Sequence, residues 1–440
     1  MSYASAIDQL NSMAPELHTR PGQPRRKFSL EQVRTLLAEL GDPHRRFRSI
    51  LIAGTNGKGS TASTLASILN VSGQRVGLYT SPHLEKPNER IRIGTAEIHD
   101  DDFARLYFQV RQAAEKLLAG SDLPQLPSYF EILTAIAFLY FAEQRIDLAV
   151  LEVGMGGRLD ATNVVDPLLS IITDISLDHM EWLGPTIDAI AREKAGILRA
   201  GGTMITLPQH PEANRALGEV AISLAVRGIS AVPYMPGSVI GGRYSVDVLG
   251  ESVEVESPLA GAHQQRNIAL AIAAAVELRE NHGFAIAPRS IAEGIRRTHW
   301  PGRLERIASS GTEWILDVAH NPAGAWALRS GLRSLLGERD PQVLVFSCLR
   351  DKPVTEMAQI LFPIFEQVVL APIHAARAAE MDELATAAQG TGIKFQKSDS
   401  VLNAMSQAKE LARGGTVVVS GSVYLVGEAR SWLLHRKEGA

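Results

Sequence analysis

A glycine-rich segment that contains a lysine follows a short apolar run, and it constrains this chain more than any other feature. Residues 49–53 are predicted to form a buried strand, residues 54–59 a tight turn, and residues 60–71 a helix. At the start of a helix, backbone N–H groups and the positive end of the helix dipole favour an anion. Glycines let the backbone approach that anion closely. The sequence therefore predicts a strand, phosphate-binding turn and helix of the P-loop type.

The side chains of this turn match the needs of nucleotide phosphates. Lys58 can neutralise β- and γ-phosphate oxygens, and the Ser60 hydroxyl is placed for a phosphate or its magnesium. The spacing departs from the usual pattern, because Ala53 replaces the first glycine and Gly59 separates Lys58 from Ser60. A strand-to-helix turn without any ligand is the alternative interpretation. The candidate nucleotide-binding residues are Gly54, Thr55, Asn56, Gly57, Lys58, Gly59, Ser60 and Thr61.

The rest of the chain alternates short β-branched runs with helical patterns, which is typical of a parallel sheet covered by helices on both faces. Residues 130–142 are predicted to form a buried helix, residues 238–255 hairpins, and residues 267–280 the helix that closes the first domain. A Pro–Gly pair at 301–302 marks a domain boundary. We therefore predict an α/β protein with a P-loop-type, mostly parallel sheet domain (1–299) followed by a smaller Rossmann-like α/β domain (300–440). The other predicted strands are 75–79, 148–153, 168–173, 203–207, 314–318, 343–347, 367–370 and 416–420.

Composition argues against several classes of protein. The formal net charge of -4 gives no overall attraction to polyanions, so no nucleic-acid partner is expected. The single cysteine, Cys348, excludes an intramolecular disulfide framework, and its apolar neighbours predict a buried side chain. Apolar segments are shorter than the roughly 20 residues that cross a bilayer, and residues 1–26 lack the apolar core of a secretory signal. We expect a cytoplasmic protein without membrane contact, and a monomer.

Candidate metal ligands occur where predicted strands end. Ser81, Glu152 and His179 each follow or finish a strand, and the carboxyl ends of parallel strands meet at one edge of a sheet. Magnesium prefers oxygen ligands, so a histidine ligand is unusual. Each residue also has a simpler structural explanation: a turn before a proline, an ion pair between Glu152 and Arg158, or a cap formed by Asp178. The prediction of a metal site depends on their combination.

A series of motifs in one order gives the chain a recognisable resemblance. It resembles the folylpolyglutamate synthases of the Mur ligase family, in the bacterial form that is also a dihydrofolate synthase, from about Leu36 to Glu428. The motifs are Ala-Gly-Thr-Asn-Gly-Lys-Gly-Ser (53–60), Thr-Ser-Pro-His (80–83), Asn-Glu-Arg-Ile (88–91), Leu-Glu-Val-Gly-Met-Gly-Gly-Arg-Leu-Asp-Ala-Thr-Asn (151–163), Leu-Asp-His (177–179), Glu-Lys-Ala-Gly-Ile (193–197), Trp-Pro-Gly-Arg (300–303) and Asp-Val-Ala-His-Asn-Pro (317–322).

The resemblance implies roles for individual residues. It implies ATP phosphates on the glycine-rich turn, with Asn267, Arg303 and Asp317 at positions that contact ATP, and Mg²⁺ on the three candidate metal ligands. Lys58, Lys194 and His320 are the catalytic candidates. In this family the lysine that matches Lys194 is often carbamylated; otherwise a solvated helix lysine is the default interpretation. The implied substrate-binding residues are Ser128, Tyr129, Phe130, Glu131, Leu159, Asp160 and Ala161.

The implied reaction is ATP-dependent addition of L-glutamate to dihydropteroate, to reduced folates, or to both, through an acyl phosphate. Two alternatives stay open at this point. A Mur ligase of cell-wall synthesis belongs to the same class, although the run from Ser81 to Ile91 argues against it. A P-loop nucleotide switch belongs to a different class and would not need glutamate for turnover.

Overall fold

The computed structural model describes residues 2–13, 29–237, 242–336 and 343–435, and the chain divides into two compact units. The first unit comprises Met1–Ser81, Pro87–Glu256 and Asn267–Arg297, and the second comprises Pro82–Lys86, Ser257–Arg266 and Thr298–Ala440. Two short segments that precede residue 298 in the chain therefore belong to the second unit. The α/β class is confirmed. Two sets of residues discussed above lie outside the described residues. They are 14–26, in the segment that lacks the apolar core of a secretory signal, and 238–241, in the predicted hairpin segment.

The strands of the first unit are β1 (Arg48–Ala53), β2 (Val76–Tyr79), β3 (Ile91–Ile93), β4 (Ala96–Glu97), β5 (Leu148–Glu152), β6 (Leu169–Ile172), β7 (Thr203–Thr206), β8 (Arg227–Ser230), β9 (Arg243–Val248) and β10 (Glu251–Glu256). Over the described ranges, eight of them form one sheet in the order β4-β3-β2-β5-β1-β6-β7-β8. Strand β3 runs antiparallel to both β2 and β4, and all other neighbouring strands pair in parallel. Successive side chains of β1 point into the hydrophobic cores on opposite faces of the sheet. Ile50 and Ile52 pack in one core, and Leu51 and Ala53 pack in the other. The pairing of β9 with β10 confirms the predicted hairpin.

Helices cover both faces of this sheet. They are α1 (Tyr3–Ser12), α2 (Leu30–Glu39), α3 (Lys58–Val71), α4 (Asp100–Ala119), α5 (Tyr129–Glu143), α6 (Met180–Leu183), α7 (Ile187–Ala195), α8 (Pro211–Ser223), α9 (Ala262–His282) and α10 (Pro288–Arg296). Helix α3 begins at Lys58 rather than at residue 60, because Gly57 adopts a left-handed conformation (φ 88°) that ends the turn there. The prediction that residues 267–280 close the first unit was wrong, since α10 follows and packs against α3.

The connections of the first sheet leave β1 and β5 in opposite directions. The chain passes from β1 to β2, which lies beyond β5, and from β5 to β6, which lies beyond β1. Ligands of open α/β sheets bind in the crevice outside the carboxyl ends of the strands at such a switch point. The glycine-rich turn after β1 and the residues after β5 are therefore in the place where a ligand is expected.

The second unit is a smaller sheet with helices on both faces. Its elements are β11 (Glu305–Ser309), β12 (Thr312–Asp317), α11 (Pro322–Leu336), β13 (Val343–Phe346), α12 (Val354–Leu361), β14 (Gln367–Leu370), α13 (Met381–Thr391), β15 (Lys394–Lys397), α14 (Val401–Ala412), β16 (Thr416–Ser420) and α15 (Val423–His435). The order β11-β12-β16-β13-β14-β15 is parallel apart from β11. Cys348 is buried as predicted, and burial raises the pKa of its thiol to about 12. Within the described ranges, no helix is both long and apolar enough to span a bilayer.

Candidate active site

At two of its glycines, the glycine-rich turn comes so close to its neighbours that no side chain would fit. A Cβ atom on Gly54 would lie 1.8 Å from Oγ1 of Thr173, and one on Gly57 would lie 2.2 Å from Oδ1 of Asn267. The second contact brings Asn267 of α9, a predicted ATP contact, directly against the turn. These glycines therefore serve close packing as well as backbone conformation, and together with Asn267 they form one wall of the site.

The start of α3 offers groups that an anion would complete. Gly57 provides no side-chain cap, so the first-turn N–H groups of α3 have no intrahelical acceptor. Thr61 in the same turn is fully buried, and its Oγ1 has no hydrogen-bond partner among the described residues. Unpaired buried hydroxyls are rare in folded proteins. An uncapped helix start beside an unpaired hydroxyl and close-packed glycines fits a bound phosphate group.

The segment that follows β6 holds the turn in place. The backbone nitrogens of Thr55 and Asn56 donate to the carbonyl oxygen of Asp174 at 2.8 and 3.2 Å. The Thr55 hydroxyl donates to the carbonyl oxygen of Ser176 at 3.0 Å, and the Asn56 amide donates to the Ser176 hydroxyl at 3.2 Å. The side chains of Thr55 and Asn56 thus fix the turn rather than point away from it. They also tie it to the segment that contains His179.

Two lysine ammonium groups share one carbonyl oxygen of the turn. Nζ of Lys58 donates to the Gly54 oxygen at 3.1 Å, and Nζ of Lys194 donates to the same oxygen at 2.8 Å. Lys194 is only 3% exposed, so the interpretation as a solvated helix lysine was wrong. Burial, reinforced by the neighbouring Lys58 ammonium, lowers the pKa of Lys194 to about 7, although Asp178 and Asp160 act in the opposite direction.

Close packing places Lys194 at this position. A Cβ atom on Gly157 would lie 2.8 Å from the Glu193 carbonyl oxygen and 2.9 Å from that of Lys194. The Asn163 amide donates to the carbonyl oxygen of Gly196 at 3.0 Å, just beyond the end of α7. The glycine-rich loop after β5 therefore fixes the end of α7, and Lys194 with it, against the phosphate turn.

The structure brings two of the three candidate metal ligands together. The Ser81 backbone nitrogen donates to Oε2 of Glu152 at 3.0 Å, and Glu152 is only 4% exposed. The alternative ion pair of Glu152 with Arg158 is not formed, since Arg158 pairs with Glu193 at 2.9 Å. His179 precedes α6 in a left-handed conformation (φ 50°), and its backbone nitrogen donates to Oδ1 of Asp178. Asp178 thus binds the backbone nitrogen of the next residue, and the start of α6 has no side-chain cap among the described residues.

The chemistry of these groups fits a hard cation. A hydroxyl and a carboxylate are oxygen ligands of the kind that Mg²⁺ prefers. In the part of the chain that the structure describes, no three or more His, Cys, Asp and Glu side chains are grouped so that they could hold a metal. A magnesium ion at Glu152 would therefore also need the Ser81 hydroxyl, the predicted ligand His179, phosphate oxygens or water, which Mg²⁺ commonly retains.

Two predicted substrate-binding residues form the start of α5. The Glu131 backbone nitrogen donates to the Ser128 hydroxyl at 3.2 Å, and the Ser128 backbone nitrogen donates to the Glu131 carboxylate at 2.6 Å. This reciprocal pair is a capping box, and both residues are buried. The cap directs the aromatic residues between them. The Phe130 ring occupies the space where a Cβ on Gly154 would lie, at 2.7 Å, and the Tyr129 ring lies 5.5 Å from the Arg90 guanidinium.

Asp160 is a buried carboxylate whose hydrogen-bonding capacity is used within the loop. Its Oδ2 accepts from the backbone nitrogens of Gly154 and Met155 at 2.9 and 3.1 Å. Its Oδ1 accepts from the backbone nitrogen and hydroxyl of Thr162 at 3.0 and 2.6 Å. Burial raises the pKa of Asp160, and these hydrogen bonds oppose the shift. Its neighbours differ, since Leu159 is exposed and Ala161 is buried.

The remaining predicted residues lie in the second unit. Asp317 accepts hydrogen bonds from the backbone nitrogens of Leu304 and Ala319, both at 2.9 Å. Burial raises the pKa of Asp317, while the charges of Arg303 and His263 lower it, so Arg303 and Asp317 are neighbours within this unit. Nδ1 of His320 lies 2.9 Å from the Val318 carbonyl oxygen, the geometry of a ring N–H donor.

Sequence reasoning missed a polar group at the ends of β13 and β16. Ser347 and Ser420 are adjacent and buried, and their hydroxyls have no hydrogen-bond partner among the residues that the structure describes. Gly421 is required here, because its Cβ would lie 2.2 Å from the Ser347 carbonyl oxygen. The Ser422 hydroxyl then accepts from the backbone nitrogen of Tyr424 at the start of α15. The signal was present in the sequence as Ser-Gly-Ser between a predicted strand and a helix.

Comparisons with known proteins agree with this architecture. The Mur ligase middle domain matches residues 52–275, and the Mur ligase glutamate ligase domain matches residues 302–423. The chain is 34% identical to the folylpolyglutamate synthase of Lacticaseibacillus casei, over 99% of this chain and 100% of that protein. It is 34% identical to the dihydrofolate synthase/folylpolyglutamate synthase of Bacillus subtilis, over 92% of this chain and 95% of that protein.

Solved structures give the same result. The Mycobacterium tuberculosis folylpolyglutamate synthase complexed with ADP superimposes with a TM-score of 0.87 at 32% identity, covering 98% of both chains. The Escherichia coli protein FolC in complex with DHPP and ADP superimposes with a TM-score of 0.84 at 30% identity, covering 99% of both chains.

Proposed function

Since this chain belongs to the Mur ligase family, in the group of folylpolyglutamate and dihydrofolate synthases, we infer that it is an ATP-dependent ligase that joins L-glutamate to folate-type carboxylates. The observation that carries this inference is the Lys58 ammonium group on the Gly54 carbonyl beside an uncapped helix start, with the enclosed Lys194 nitrogen bound to the same oxygen. Such an arrangement concentrates positive charge where a terminal phosphate would lie.

A carboxylate needs activation before an amine can displace its oxygen at neutral pH. In the proposed reaction, a substrate carboxylate oxygen attacks the γ-phosphorus of ATP, ADP leaves, and an acyl phosphate forms on the substrate. The free amine of glutamate then attacks the acyl carbon, and inorganic phosphate leaves with the bonding electron pair. Lys58 stabilises the charge on the transferring group, and no enzyme nucleophile is needed.

Ser81, Glu152 and His179 are the residues that would hold Mg²⁺, which when bound would offset negative charge on the phosphate oxygens. Lys194 suits carbamylation, because an amine with a pKa of about 7 is about half neutral at pH 7. In that step the neutral nitrogen attacks the carbon of CO₂ and loses a proton. The resulting anion would balance the charge of Lys58.

The substrates are proposed from two further features. The Phe130 ring beside Gly154 offers an aromatic surface for the pterin ring of dihydropteroate or of a reduced folate. For the amino-acid substrate, the hydroxyls of Ser347 and Ser420 in the second unit have no partner among the described residues. With the buried Lys352 nearby in sequence, they offer hydrogen bonds and positive charge to a carboxylate. We place the protein in the cytoplasm as a monomer, which size-exclusion chromatography with light scattering tests.

The test is ADP release with dihydropteroate and, separately, with tetrahydrofolate, each with and without glutamate. We expect release only when a pterin acid and glutamate are both present. Lys58→Ala should abolish it while the protein stays folded, whereas Lys116→Ala, which removes an exposed lysine of α4, should not. Slow ADP release at the same rate with and without glutamate would favour a nucleotide switch. Release that requires a nucleotide-linked peptide instead would favour a cell-wall ligase.

A further inference from the structure

Arg430 of α15 joins two carboxylates that lie far apart in the sequence. Its Nε donates to both carboxylate oxygens of Glu305 at 3.0 Å, and its Nη1 donates to Oε1 of Glu85 at 3.0 Å. All three residues belong to the second unit, and the Arg430 side chain is only 17% exposed. One guanidinium therefore binds the segment Pro82–Lys86 and the start of β11 at the same time.

The segment Pro82–Lys86 also packs closely against α15. A Cβ atom on Gly427, three residues before Arg430 on α15, would lie 2.0 Å from the Leu84 carbonyl oxygen. The Leu84 side chain packs into the core formed by α14 and α15, next to Val426 and Gly302. The segment Pro82–Lys86 is thus seated on α15 by apolar contact and fixed there by charge.

Each carboxylate lies close in sequence to a residue with a predicted role, Glu85 to Ser81 and Glu305 to Arg303. Glu85 lies in the segment that begins immediately after Ser81, whose backbone nitrogen binds Glu152. Glu305 accepts a hydrogen bond from the backbone nitrogen of Gly302 at 2.9 Å, and Gly302 directly precedes Arg303. Because a polypeptide has few soft torsions per residue, anchoring residues so close in sequence limits where Ser81 and Arg303 can lie.

We propose that Arg430 is a positioning residue for nucleotide binding: through Glu85 and Glu305 it fixes the backbone that carries the Ser81 hydroxyl and the Arg303 guanidinium. This inference rests on the proposed function, from which Ser81 and Arg303 take their roles in nucleotide binding. Arginine suits this position because Nε and Nη1 bind different carboxylates in a planar fork, an arrangement that the single ammonium of lysine reproduces only in part.

Hydrogen exchange of the nucleotide-free protein tests the anchoring without any catalytic readout. In Arg430→Ala, backbone amides within 82–86 and 302–305 should exchange faster than in the wild type, while those of β5 and α3 stay unchanged. Glu85→Gln should loosen 82–86 alone. Arg306→Ala is the matched control, because Arg306 is the next residue on β11 and pairs with Glu313 outside this network. Wild-type exchange in Arg430→Ala, or equal loosening in Arg306→Ala, would overturn the proposal.

Kinetics then separate positioning from general stability. Arg430→Ala should raise the KM for Mg²⁺·ATP by about tenfold, since a misplaced ligand weakens binding of the group it should contact. Arg430→Lys should recover part of this loss, and the KM for glutamate should change little. Equal changes for both substrates would show a merely structural role. The proposed function would fail by a different result, namely no glutamate-dependent ADP release by the wild type. The hydrogen-exchange result does not depend on that activity.

Discussion

Replacement of Lys194 by methionine should stabilise the first unit while it removes activity. Lys194 is fully enclosed beside another ammonium group, and its pKa falls from 10.5 to about 7. Methionine has a similar length and shape without a charge, so it fills the same space. At pH 6, in buffer free of CO₂, Lys194→Met should therefore unfold at higher urea concentration than the wild type.

The magnitude follows from linkage between protonation and folding. Lowering a pKa from 10.5 to about 7 costs the protonated folded state roughly 5 kcal/mol at most. Below pH 7 both states of the wild type carry the proton, so the full cost is present. Between pH 7 and 10.5 the unfolded state binds more protons than the folded state, so wild-type stability rises with pH. The advantage of Lys194→Met should therefore be largest below pH 7 and should shrink up to pH 10.5.

The assay is urea unfolding from pH 6 to pH 10, with hydrogen exchange of α7 and β5 peptides to follow the first unit. Lys116→Met serves as the matched control, because Lys116 is 72% exposed and its removal should leave the pH dependence unchanged. Bicarbonate should stabilise the wild type and leave Lys194→Met unaffected if a carbamate forms. Parallel pH profiles of the wild type and Lys194→Met would refute the reasoning.

Three further substitutions follow from the geometry of the first unit. Gly57→Ala should weaken ATP binding at least tenfold, measured by calorimetry, because its Cβ would lie 2.2 Å from Asn267 Oδ1 and its φ is 88°; unchanged affinity would contradict this. Glu152→Gln should keep the fold, since an amide oxygen can still accept from Ser81, but raise the Mg²⁺ concentration needed for half-maximal ADP release about a hundredfold; an unaltered magnesium dependence would argue against a metal at Glu152. Asp160→Asn should cost about 2–4 kcal/mol of stability, measured by urea unfolding, because an amide nitrogen would face two donors; an unchanged midpoint would disprove this.

Local pattern was sufficient for most of the fold. The buried strands could be predicted because runs such as Ile50, Leu51 and Ile52 are apolar on both sides, which is what a strand between two helical layers requires. The edge strands β4 and β8, and β3 beside β4, could not be predicted, because these strands are short and partly exposed. The start of α3 was misplaced because a left-handed glycine ends a turn at a position that residue type alone leaves open.

The sequence by itself determined the type of chemistry. A lysine among glycines after a strand predicts a phosphate site, since few other roles need that composition, and the strand-end residues Ser81 and Glu152 do meet in space. Tertiary structure alone decided which side chains hold the backbone and which are enclosed. Ser128, Glu131 and Asp160 hold their own loops, and Lys194 is an enclosed base, because burial and hydrogen-bond partners arise from segments that lie far apart in the chain. Charge state depends on that enclosure, which no local pattern contains.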